Sequence, residues 1–204
     1  MPDAGRVIAG SAKGVRLRAP GPGTRPLADR VKQTLFAILE PELAGARVLD
    51  LFAGSGAGGI EALSRGAAAA VFVERDQGAA AVIDANLRAT GLAGPAAAIV
   101  RWDVVRWLAE PNVDAAFDLV LVDPPYADTG TLARVLEILG RGLGPHVHVH
   151  RLANEERGRP GIESGMRHQP NLRPDEGRHV HHVADRGDRI GRRLLQRLDD
   201  ALRY

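Results

Sequence analysis

The segment Val48-Leu49-Asp50-Leu51-Phe52-Ala53-Gly54-Ser55-Gly56-Ala57-Gly58-Gly59 limits what this chain can fold into more than any other stretch. The apolar run from Arg47 to Phe52 predicts a buried strand, the glycines a turn, and Ala57 to Arg65 a helix. A G-x-G-x-x-G spacing has meaning only in that setting. Glycines at 54 and 56 allow a sharp turn and close approach of backbone to a ligand, and Gly59 lets the helix pack tightly on the strand. The helix start offers unpaired N–H groups to a polar or anionic ligand. Glu74 closes the next apolar run, Ala69 to Val73, which sets a carboxylate beside the turn where it can accept hydrogen bonds from ribose hydroxyls. The ligand predicted from this stretch is a nucleoside.

Nicotinamide enzymes use the same turn, and two further features favour a different nucleoside. Asp50 precedes the turn within the strand, where a carboxylate would repel a pyrophosphate but could hold the ammonium of an amino acid. Asp123-Pro124-Pro125-Tyr126 follows the apolar run Leu119 to Val122, at the expected C-terminal end of a fourth strand. A methionine-bearing nucleoside together with that tetrapeptide suggests methyl transfer to an amino group.

Between Arg47 and Leu139 strands and helices alternate. A helix is predicted from about Gln77 to Thr90 with Ala79, Val82, Ile83 and Leu87 on its apolar face, then a short strand from Ala97 to Arg101. After the fourth strand comes a helix with Leu132, Val135, Leu136 and Leu139 at helical spacing. Such units imply an α/β fold: a doubly wound, Rossmann-like parallel sheet with right-handed crossovers and helices on both faces. Ligands of these sheets bind beyond the carboxyl ends of the strands, so Asp50, Phe52, Gly54, Ser55, Gly56, Glu74 and Asp103 are the candidate donor-binding residues. Asp103 could accept from the adenine amino group, cap the helix starting near Val104, or do both. Trp102 and Trp107 are expected to be core or pocket walls.

The tetrapeptide suits amino-group methylation. An exocyclic amino nitrogen is a poor nucleophile because its lone pair is delocalised into the base. Asp123 can accept one N–H and the Pro124 carbonyl another, drawing the nitrogen toward tetrahedral geometry, while Pro124 and Pro125 fix the backbone that presents them. Tyr126 offers a ring face to a base taken out of its stack. The alternative is an ordinary Asp-Pro-Pro turn after a strand.

The first 45 or so residues carry a basic cluster: Arg6, Lys13, Arg16, Arg18, Arg25, Arg30 and Lys32. Arg16 and Arg18 alternate with Val15 and Leu17, which predicts a two-stranded ribbon with one basic face able to follow a phosphate backbone. A helix from about Asp29 is expected to turn Val31, Leu35, Ile38 and Leu39 inward, to keep Arg30, Lys32 and Gln33 off that face, and to end at Pro41. The alternative is a plain cap on the sheet with solvated charges. The net charge is only +2, yet nearly all the cations are arginine, which either reflects a GC-rich genome or serves a nucleic-acid partner. With 204 residues, no cysteine, no long apolar span and no leader-like N-terminus, the chain is expected to be a cytoplasmic α/β protein without a disulfide framework or membrane partner.

Arg6-Val7-Ile8-Ala9-Gly10, Arg25-Pro26 with Asp29-Arg30-Val31-Lys32 and Leu35-Phe36, Leu49 to Gly56 with Gly59 to Ala67, and Asp123 to Tyr126 together resemble the bacterial 16S ribosomal RNA guanine-N2 methyltransferases. The similarity runs from about residue 5 to 140. It implies S-adenosylmethionine as donor and a guanine amino group of 16S rRNA in small-subunit particles as acceptor; the chain is expected to be a monomer without metal. It also implies that Asp50, Gly54, Gly56, Glu74 and Asp103 hold the donor, residues 123 to 126 the base, and the basic ribbon the RNA. Leu27-Ala28 and Gln33 depart from the usual pattern and bear on helix capping. The expected division is an RNA-binding extension over 1–45, a methyltransferase core over 46–144 and an atypical tail over 145–204.

The tail breaks the resemblance. All seven histidines lie from His146 to His182, and glycine, proline and arginine interrupt every apolar run. His146-Val147-His148-Val149-His150 alternates, which at best makes an edge strand. A reading-frame change in GC-rich coding sequence is one explanation; a zinc site in which His179, His181 and His182 join His146, His148 and His150 is a weaker one without cysteines. Ile190, Leu194, Leu198 and Ala201 could form a short amphipathic helix. Two other functions suit the same motifs: an adenine-N6 DNA methyltransferase, and a donor-binding but inactive RNA-binding protein.

Overall fold

A computed structural model describes residues 3–21, 29–110, 117–124, 129–142 and 148–151. Arg25, Pro125, Tyr126 and the tail beyond Arg151 lie outside the described residues. In chain order the elements are β1 (Asp3–Arg6), β2 (Arg16–Arg18), α1 (Asp29–Leu43), β3 (Arg47–Leu51), α2 (Ala57–Ser64), β4 (Ala69–Val73), α3 (Gln77–Thr90), β5 (Ala97–Val100), α4 (Val104–Leu108), β6 (Leu119–Val122), α5 (Thr129–Gly142) and β7 (His148–Arg151). β1 and β2 pair antiparallel, while the other strands form a parallel sheet in the order β5-β4-β3-β6-β7.

The alternation of side chains along each strand divides the core in two. Val48, Ala70, Phe72, Leu119 and Leu121 face α1, α2, α3 and the ribbon, joining Phe36, Leu39, Ile60, Ile83, Leu87, Val7 and Leu17. Leu49, Leu51, Val71, Val73, Val120 and Val122 point the other way, against Val104 and Leu108 of α4 and Val135 and Leu139 of α5. Central parallel strands covered on both faces read as nearly continuous apolar runs, with Asp50 the exception in β3, and each such Val or Leu contributes roughly 1.5–3 kcal/mol of burial. The result is the doubly wound, Rossmann-like sheet that the sequence predicts. At its edge β7 pairs with β6, the edge position among the described residues that its alternating sequence implies.

Capping fixes the helix that matters most for the site. Asp76 precedes α3 in an extended conformation and accepts from the Ala79 N–H at 2.7 Å, and Gly91 closes the helix in the left-handed region. Gly59 is required by packing: a Cβ there would lie 2.4 Å from the Phe72 ring.

Helix α1 differs from expectation. Lys32, Phe36, Leu39 and Leu43 form the buried stripe, and Ile38 is 66% exposed. Lys32 turns inward because its ammonium donates to the Arg6 carbonyl at 2.5 Å and pairs with Asp29 at 3.3 Å, so its charge is satisfied in the core. Pro41 lies within the helix, which runs on to the buried Leu43. On α5 Leu136 is 39% exposed, outside the stripe formed by Val135 and Leu139.

Candidate active site

The sheet register places the candidate residues in one row. Leu51 of β3 lies opposite Val73 of β4 and Val122 of β6, and Val73 lies opposite Val100 of β5. The residues that follow, Phe52, Glu74 and Asp123, therefore leave the sheet together at its carboxyl edge. Because β4 and β5 are added on one side of β3 and β6 on the other, the chain reverses direction between β3 and β6, where such sheets bind ligands.

The turn after β3 is shaped from both sides. Phe52 adopts φ 60, rare for a residue with a side chain, and Gly54 and Gly56 follow at φ 55 and 75. The Ala53 N–H donates to the Val73 carbonyl at 3.2 Å, and the Gly56 N–H to the Ala53 carbonyl at 2.7 Å. Glu74 holds the turn directly: Oε2 accepts from the Gly54 N–H and Oε1 from the Asp76 N–H, each at 2.9 Å. The sequence assigns Glu74 to a ribose; in the structure its two oxygens fix the loop.

Asp50 lies beneath the turn, 3% exposed, and its Oδ2 accepts from the Gly59 N–H at 2.8 Å. Burial pushes its carboxyl up to about 7; the Gly59 hydrogen bond opposes the rise, while the negative charges of Asp123 and Glu74 add to it. Three carboxylates thus converge at the switch point. A ligand with ammonium and sulfonium charge would relieve that repulsion, which is the sense in which this site fits S-adenosylmethionine.

Asp103 stands past β5, half-buried, and caps α4 by accepting from the Arg106 N–H at 3.1 Å. Trp102 beside it is 46% exposed, and Trp107 packs partly buried against the second core. Pro124 is buried after the half-buried Asp123, whose N–H donates to the Leu51 carbonyl at 3.4 Å, tying the start of the tetrapeptide to the end of β3. Ser55 is buried within the turn.

Of the basic candidates, Arg6, Lys13, Arg16, Arg18 and Arg30 are exposed. Arg6 pairs with Asp29 at 3.2 Å and Arg16 with Asp3 at 2.7 Å. Partial burial raises Asp29, but Lys32, the Arg6 N–H and the Arg6 charge outweigh it and hold the carboxyl below its usual range. Lys32 is a correction: wholly buried, it clamps β1 to α1 and presents no charge to RNA.

Three polar residues that sequence reasoning passed over latch the N-terminal segment to the core. Glu61, 1% exposed, accepts from the Ile8 N–H at 2.8 Å, the Ala9 N–H at 3.0 Å and Arg65 Nε at 2.8 Å. Ser64 Oγ accepts from the Ala12 N–H at 3.0 Å and donates to the Ala9 carbonyl at 2.6 Å. Asn86, wholly buried on α3, bonds Arg18 and Ser55. The available signal was spacing: Asn86 falls on the stripe of Ala79 and Ile83.

A glycine turn beside three converging carboxylates, at the switch point of a doubly wound parallel sheet, defines a Rossmann-like methyltransferase fold. The chain belongs to the family described as Conserved hypothetical protein 95, which it matches over residues 5–157. It is 42% identical over 135 residues to Ribosomal RNA small subunit methyltransferase D of Escherichia coli, covering 66% of this chain and 66% of that one. To the protein of the same name from Haemophilus influenzae it is 38% identical over 122 residues, 59% of this chain and 63% of that one. The chain thus aligns with about two thirds of the length of these curated relatives. Among solved structures, yhhF of Escherichia coli superposes with a TM-score of 0.63 at 36% identity over 72% of this chain and 78% of that one. Among the described residues no helix is long and apolar enough to cross a membrane.

Proposed function

We propose that this protein transfers a methyl group from S-adenosylmethionine to the N2 amino group of a guanine in 16S rRNA of the small ribosomal subunit. The observation that carries this reading is the meeting, between β3 and β6, of the carboxylate-lined glycine turn with Asp123-Pro124. The names of the relatives support rRNA as the substrate, and the tetrapeptide supports an amino group as the acceptor.

Asp50, with the turn from Phe52 to Gly56, Glu74 and Asp103, holds the donor in this reading. Bound there, S-adenosylmethionine supplies an electrophilic methyl on a sulfonium. The chain's own residues prepare the nucleophile. Asp123 accepts one N–H of the guanine amino group and the Pro124 carbonyl the other, which concentrates the lone pair on nitrogen and directs it away from the ring. Tyr126 stacks on the extruded base. The exposed cations of the ribbon, Arg16 and Arg18 with Lys13, contact the phosphate backbone.

The test uses the full chain, methyl-labelled S-adenosylmethionine and small-subunit particles assembled from unmodified 16S rRNA, with digestion to nucleosides. Labelled N2-methylguanosine is expected. Label in adenine of duplex DNA would move the activity to the second class of substrate, and donor binding without transfer to any acceptor would make the protein an inactive RNA binder.

A further inference from the structure

The ribbon and the glycine turn meet through one side chain. Asn86 Oδ1 accepts from the Arg18 N–H at 2.8 Å, while Nδ2 donates to the Arg18 carbonyl and to the Ser55 carbonyl, each at 2.9 Å. The amide engages both backbone groups of Arg18 as a neighbouring strand would, and its remaining hydrogen fixes the turn between Gly54 and Gly56. Both amide hydrogens and the oxygen are used, and the side chain is wholly buried. Any shift of the Ser55 carbonyl must therefore be followed by Asn86 or leave a buried donor unbonded. The same holds for Arg18, whose side chain is exposed on the ribbon.

We infer that Asn86 is a positioning residue that couples the two binding sites, so that occupancy of the glycine turn by the donor orders the RNA-facing ribbon, and occupancy of the ribbon tightens the donor site. The inference rests on the proposed function, in which the turn carries the donor and the ribbon the RNA. Reciprocity follows from linkage: whatever factor the donor confers on the ribbon, RNA returns to the donor. A buried asparagine that served only to satisfy two loops would stabilise both without making either respond to the other's ligand.

Hydrogen exchange on the full chain separates these cases, read at residues 16–18 and 54–57 with and without S-adenosylmethionine. In the free wild type both segments are expected to be protected, and Asn86→Ala to accelerate exchange about tenfold or more in both, leaving β3 and β6 unchanged. Saturating donor is expected to slow exchange at 16–18 of the wild type by about fivefold or more, the lower end of usual coupling factors. In Asn86→Ala the donor should still protect 54–57 and have no effect at 16–18. Loosening confined to 16–18, a donor effect at 16–18 that survives in Asn86→Ala, or a wild-type ribbon indifferent to bound donor would each overturn the inference. Asn86→Leu, which fills the same space without a charge and removes every hydrogen bond of the amide, gives the same readout if the alanine variant fails to fold. A wild type that binds no donor defeats the proposed function instead, and the comparison of free proteins then decides by itself whether Asn86 joins the two segments.

Discussion

Asp50→Asn should make the free protein more stable at neutral pH while impairing it as a donor-binding protein. Burial sets the Asp50 carboxyl at about 7 in the folded chain against 3.8 when unperturbed. A raised folded-state value means that stability is fully present below about 4 and is lost as pH rises through about 7. The difference of about 3 units, at 1.36 kcal/mol each, is about 4 kcal/mol of stability forgone by pH 8. An asparagine has no charge to desolvate, and its side-chain oxygen can still accept from the Gly59 N–H. In thermal melts followed by circular dichroism, the variant should match or fall below the parent at pH 4 and exceed it by roughly 10 °C at pH 8. Calorimetric titration with S-adenosylmethionine should show affinity reduced about 10- to 100-fold, the loss of one charge-assisted hydrogen bond. Parallel melting curves across that pH range would refute the account of Asp50 as a buried, strained carboxylate, and undiminished affinity would refute its contact with the donor.

Other substitutions probe the remaining parts. Gly59→Ala drives a methyl into the Phe72 ring and should cost about 1–3 kcal/mol in urea unfolding. Glu61→Gln removes the charge shared by two backbone N–H groups and Arg65 and should cost about 3 kcal/mol, with loss of amide protection at Ile8 and Ala9. Asp123→Ala should lower kcat about 100-fold or more and weaken donor affinity less than Asp50→Asn does, measured by single-turnover transfer and by calorimetry. Arg18→Ala and Lys32→Ala should behave oppositely: the first weakens RNA binding and flattens its salt dependence without moving the melting temperature, and the second destabilises the fold by about 2 kcal/mol and leaves the salt dependence unchanged.

Much of this fold is legible in the sequence because local periodicity and burial agree. The limits of α3 and β6 fall where the pattern of Gln77 to Thr90 and of Leu119 to Val122 puts them, and Asp50, Glu74 and Asp123 come to one edge because parallel strands in register end together. What could not be read depends on partners distant along the chain. Lys32 reads as a surface cation, but Asp29 and the Arg6 carbonyl supply buried counterparts, and nothing local to Glu61 announces the amides of Ile8 and Ala9 that it meets. Ile38 looked like core because aliphatic character says nothing about which stripe of α1 the sheet will cover. The left-handed Phe52 has no local signal, since the tight exit from β3 is imposed by the turn that follows.

The latch described above also sets a timetable for synthesis. Ile8 waits for Glu61, 53 residues later, and Arg18 waits for Asn86, 68 residues later. The ribbon, clamped to α1 through Lys32, therefore lacks its buried polar partners until α2 and then α3 have emerged, and β1 and β2 are finished late although they precede both helices in the chain. For as long as translation takes to cover that distance, the nascent chain displays its arginines unfolded beside the very machine whose RNA they are proposed to meet.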